Sequence, residues 1–70
     1  MNPLIELTTL FYNRPAADAS DEIVAAWYRA KGYLHERLAA VGGPDAAQEL
    51  AFAAASYEHA SRLILAQNSQ

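Results

Sequence analysis

Apolar side chains recur at helical spacing in two stretches of nearly equal length, residues 20–41 and 44–67, separated by the break Val41-Gly42-Gly43-Pro44. In the first stretch the stripe runs Ile23, Trp27, Ala30, Leu34, Leu38 and Val41. In the second it runs Ala46 or Ala47, Leu50, Ala53 or Ala54, Tyr57, Ala60 and Ile64. A period of three to four residues held this long belongs to an amphipathic helix that turns one side toward a partner. Gly42 or Gly43 can take the left-handed conformation that closes a helix, and Pro44 suits the first turn of the next, with Asp45 beside it. The pattern predicts an antiparallel helical hairpin.

A shorter apolar set, Leu4, Leu7, Leu10 and Phe11, precedes it. Asn2 can cap a helix there, and Pro3 fits its first position because the missing N–H has no partner to lose. Pro15 ends that helix and pushes Arg14 out of helical conformation. Ser20 is the expected cap of the next helix, with Asp21 and Glu22 against the positive end of its dipole; Asp18 with Asp21 is an earlier alternative. The reading is thus a single small all-α domain over residues 1–70, with a short helix over about 3–13 and long helices over about 20–41 and 44–67.

At 1.5 Å per residue, a hairpin centred between the two glycines puts positions whose numbers add to about 85 at one height. Leu38 then meets Ala47, Leu34 meets Leu50, Ala30 meets Ala54, and Trp27 meets Tyr57. Large and small residues alternate along this seam, as interlocking helices require. Val24, Tyr28, Tyr33, Phe52, Leu63 and Leu65 lie off it. The short helix, about 15 Å long, cannot cover two helices of roughly 35 Å. A second hairpin can, so the chain is expected to dimerise into a four-helix bundle.

Size points the same way. A chain of 70 residues buries only about 60% of its unfolded surface. It has no cysteine, which removes disulfides and thiolate metal sites as means of support. No apolar run approaches the roughly 20 residues of a membrane span, and the amino terminus lacks the features of a signal peptide. A cytoplasmic protein with no membrane partner is expected. The net charge is −3, with Arg14, Arg29, Lys31, Arg37 and Arg62 scattered along the chain. Nucleic-acid binding draws most of its affinity from a basic stripe, and none is present, so no nucleic-acid partner is expected.

His35-Glu36 and Glu58-His59 suggest metal or acid–base chemistry. In the hairpin, however, position 35 is level with about 50 and position 59 with about 26, which separates the imidazoles by near 13 Å. Neither histidine follows a glutamate by three residues, as di-iron bundles require. Both are read as surface or boundary residues, and no metal, cofactor or catalytic residue is assigned. Ser56 and Ser61 sit mid-helix, where a hydroxyl usually bonds the preceding turn. Gly42-Gly43-Pro44 lacks the lysine and preceding strand of a phosphate loop. Glu58 and Arg62 have the spacing of a surface ion pair.

The aromatic residues carry the most functional information, since Tyr and Trp bury much area at an interface for little entropic cost. Periodicity assigns Trp27 and Tyr57 to the seam. Tyr28, Tyr33 and Phe52 are left for a dimer interface or a partner protein, with Arg29, Glu36 and Arg37 on the polar side as further candidates. The expected function is that of a small non-enzymatic regulator, adaptor or inhibitor acting through protein–protein contact. By fold-level analogy, phage and bacterial anti-activators and defence inhibitors are of this kind. The alternatives from other classes are a metal- or ligand-binding helical bundle and a transcription-associated regulator.

Overall fold

The structure, a computed structural model, describes residues 2–68. These form three helices, α1 (Pro3–Tyr12), α2 (Asp21–Val41) and α3 (Ala46–Asn68). There is no strand among the described residues. Local chemistry sets the boundaries. The Asn2 side chain accepts from the Leu4 N–H at 2.9 Å, and Ser20 Oγ accepts from the Ile23 N–H at 3.2 Å, each satisfying an amide that the helix leaves free. At the other end of α1, the Asn13 N–H bonds the carbonyls of Thr9 and Leu10, and its side-chain amide donates to Thr9 O at 2.8 Å. Gly42 and Gly43 both have positive φ, 91° and 95°, which a residue with a Cβ rarely adopts. Pro44 and Asp45 form a turn rather than the first helical turn expected of them; α3 begins at Ala46, after the Asp45 carbonyl has accepted from the Glu49 N–H.

The helices run up, down and up. Both α1 and α3 pack on α2, whereas α1 and α3 do not pack on each other. The middle helix is therefore used on two sides, and the molecule is a long, shallow body of 43 × 22 × 15 Å. Glu6 of α1 reaches Arg37 and Leu10 of α1 reaches Trp27, which sets α1 antiparallel to α2. Across the hairpin, Lys31 meets Ser56, His35 meets Glu49 and Phe52, and Glu22 meets Gln67. The register agrees with the spacing argument to within about one turn.

Rotation about the helix axes agrees with it only in part: Leu34, Ala53 and Ala60 of the expected stripes are buried, but other members are not. The buried positions of α2 are Ala25, Gly32, Leu34 and His35, and those of α3 are Ala53, Ser56 and Ala60. Ile23, Val41 and Leu50, expected in the seam, are 57%, 78% and 55% exposed, and Ala30 and Ala54 are exposed too. Trp27 does not meet Tyr57. Its ring packs edge-on against Phe11 and Tyr28, and its Nε1–H donates to Leu10 O of α1 at 2.9 Å. Tyr57 instead lies over Gly32, where a Cβ would come within 2.9 Å of the ring. The cause is the size of the residues: α3 approaches along the smallest side chains of α2, and the larger Trp27 and Leu34 are taken by α1.

Candidate interaction surface

The six residues singled out from the sequence fall on two sides of α2. Arg29, Tyr33 and Glu36 follow one another at three- to four-residue spacing and are all exposed. Tyr33 is 56% exposed, and the Arg37 guanidinium lies 5.8 Å from its ring centre. Arg37 also forms a half-buried ion pair with Glu6 at 2.7 Å, so it ties α1 to α2. Glu36 accepts from the Tyr57 hydroxyl at 2.5 Å and links α2 to α3. Leu50 and Ala54 of α3 flank Tyr57 on the same side by helical spacing. Two of the polar candidates thus brace the fold at the edge of an exposed face.

Tyr28 and Phe52 lie on the other side. Tyr28 is half-buried between Trp27 and His59, with ring centres 5.1 and 4.2 Å away. Phe52 is 42% exposed and packs against the His35 ring at 5.3 Å. The six therefore do not form one patch. Tyr33, Arg29 and Glu36 share a face, and Tyr28 and Phe52 belong to an aromatic cluster across α2 from it.

That cluster encloses polar residues missed by the sequence reading. His35 is buried, at 6% exposure, not a surface histidine. Its Nδ1–H faces a Glu49 oxygen at 2.5 Å, and its Nε2 lies 3.2 Å from Lys31 Nζ. Lys31 also donates to Ser56 Oγ at 3.3 Å, while Ser56 donates to Phe52 O at 2.9 Å. Every buried side-chain polar atom among the described residues has a partner. Lys31, His35 and Glu49 thus form a continuous hydrogen-bonded chain from α2 to α3. Burial lowers the pKa of Lys31, and the nearby Glu49 carboxylate opposes this. The sequence signal for the pairing is Lys31 and His35 four apart on one helix, at the height of Glu49 across the hairpin. His59 stays exposed beside Tyr28. Among the described residues, no three His, Asp or Glu side chains converge as a metal would need.

The Tyr57–Glu36 bond has a measurable signature. The hydrogen bond to the carboxylate, aided by desolvation and negative charge, raises the Tyr57 pKa from 10.0 to about 12. Because the folded value exceeds the ordinary one, the neutral phenol favours the folded state. That contribution is complete below about pH 10 and is lost as the pH rises through about 12. Ultraviolet titration at the phenolate band should find one of the four tyrosines titrating at about pH 12, and Glu36→Gln should lower that titration. Coincident titration of all four in the wild type would mean that the bond does not persist in solution.

No protein-family model, curated protein or solved structure matches the chain. No helix among the described residues is long and apolar enough to cross a membrane.

Proposed function

We propose that this chain is a non-enzymatic helical module that works by association, first with a second copy of itself and then with a partner protein that it regulates, bridges or inhibits in the cytoplasm. One observation carries the reading. Among the described residues the buried hydrophobic core consists of Leu7, Leu34 and three alanines, no large side chain is fully buried, and ten large apolar residues are exposed. A stable domain needs two packed layers around a core. Here the middle helix is shared and both outer helices have an open side, so a second copy would provide the missing layer.

The face of Arg29, Tyr33, Glu36, Leu50 and Ala54 suits a two-fold contact. It is apolar at its centre, small where close approach is needed, and bears opposite charges on either side of Tyr33. A two-fold axis near Tyr33 would set Arg29 of one copy beside Glu36 of the second, a rim pair that fixes orientation more than it adds affinity. The exposed Leu4, Ile5 and Tyr12 of α1 would then face outward for a partner protein. Regulators of the anti-activator or defence-inhibitor kind, as in phages and mobile elements, are the class this suggests by analogy.

Light scattering at micromolar concentration tests the reading. The expected mass is about 15 kDa, twice the 7.6 kDa of one chain, and Tyr33→Glu or Leu50→Glu should reduce it to one chain. A wild-type monomer that still melts cooperatively would overturn it, because α1 would then suffice to complete the core.

A further inference from the structure

On the side of α2 away from Tyr33, the linker after α1 folds back over a groove of about 430 Å³ lined by Phe11, Arg14, Val24, Trp27, Tyr28 and Lys31. Its volume lies in the range that encloses one small molecule, not a helix of a partner protein. Its walls are aromatic, with Phe11 and Tyr28 each set edge-on to Trp27. Two cations stand over these rings. The Arg14 guanidinium lies 5.7 Å from the Phe11 ring centre and 6.0 Å from that of Trp27, and Lys31 Nζ lies 5.9 Å from that of Phe11. Neither takes part in an ion pair; the pairs among the described residues are His35–Glu49, Arg37–Glu6 and Arg62–Glu58.

Lys31 is held by its neighbours. Its ammonium has three donors, of which His35 Nε2 and Ser56 Oγ take two. The third is left for the groove. Glu49 cannot approach as a direct counterion because His35 stands between them. The site therefore offers a positioned ammonium and an exposed guanidinium above an aromatic floor, neither ion-paired with a carboxylate among the described residues.

We propose that this groove binds a small aromatic carboxylate. The planar body would lie against Trp27 and Phe11, and the carboxylate would accept from Lys31 Nζ and from Arg14. Charge-assisted bonds of this type are about twice as strong as neutral ones. The ring alone and the charge alone are each insufficient: an apolar molecule leaves the cations unpaired, and an inorganic anion leaves the aromatic walls wet. The site does not depend on the interaction face, which lies across α2.

Calorimetric titration of the intact chain with 2-naphthoate, 2-naphthylmethanol and inorganic phosphate tests this, with the indole N–H resonance of Trp27, the single tryptophan, reporting location. The carboxylate should bind at least about tenfold more tightly than the alcohol or phosphate and shift that resonance. Arg14→Gln, a change in an exposed linker residue, should weaken it about tenfold with helicity unchanged, and Lys31→Gln should do so as well. Should Lys31→Gln impair folding, the Arg14 variant alone decides. Equal affinity for the neutral alcohol, an unaffected Arg14 variant, or binding without movement of the Trp27 signal would each overturn the proposal.

Discussion

Trp27→Ala should destabilise the protein by about 3 kcal/mol or more and leave a large unfolded fraction at ambient temperature. Truncating a packed tryptophan costs about 3 to 5 kcal/mol, and the half-buried position of this one places it toward the lower end. Two further losses act in the other direction. The edge-on contacts with Phe11 and Tyr28 are worth about 0.5 to 1.5 kcal/mol each beyond their area. The Leu10 carbonyl also loses the indole donor that ties α1 to α2. In a chain with few large buried residues there is little to offset this, since small domains hold only a few kcal/mol in reserve. Urea unfolding followed by circular dichroism, at equal protein concentrations because association shifts the midpoint, checks it. A loss below about 1 kcal/mol would mean that α1 is not docked through Trp27.

Gly32→Leu should be comparably damaging, at about 3 kcal/mol, whereas Ala30→Leu should change stability by no more than about 0.5 kcal/mol. At Gly32 even a Cβ would meet three atoms of the Tyr57 ring at 2.9 to 3.1 Å, and that ring is itself held by Glu36. Leucine's better helix propensity, about 1 kcal/mol over glycine, cannot offset the displacement of the Tyr57 ring from its place over α2. Ala30 and Ala54, by contrast, are exposed. The periodicity of the apolar residues alone predicts the reverse, with the two alanines at the closest approach. Chemical denaturation of Gly32→Leu and Ala30→Leu distinguishes the two rotations, and destabilisation by Ala30→Leu with a tolerant Gly32 would restore the seam drawn from periodicity.

What could be read from the sequence follows from the range of the interactions involved. Caps act within one turn, so Asn2, Ser20 and the glycine pair announced helix ends without knowledge of the rest of the chain. The register of the hairpin depends on a short connection and a fixed rise, so the pairing of Lys31 with Ser56 and His35 with Phe52 came close to the expected heights. The Glu58–Arg62 pair, 2.5 Å apart, and the Ser56 bond to Phe52 O are likewise local.

The candidate site was less legible. Tyr33, Arg29 and Glu36 share a face because they share a helix. That Tyr28 and Phe52 belong to a different face, with His35 and His59, depends on which side of α2 receives α3. Likewise, no pattern within one helix shows that Lys31 would stand between His35 and Ser56, or that Arg14 from the linker would lie above Phe11 and Trp27.

The sequence by itself determined that three helices form, where α1 and α2 begin, and that the two long ones run antiparallel at nearly a fixed height. Only the tertiary structure decided their rotation. In a chain this rich in alanine, several faces of a helix are nearly equally apolar, so periodicity weights the large residues and assigns Trp27 and Leu34 to the hairpin. Close packing rewards the opposite choice: two helices approach most closely along their smallest residues, here Ala25, Gly32, Ala53 and Ala60. The large residues then remain for α1, or for surfaces outside the chain.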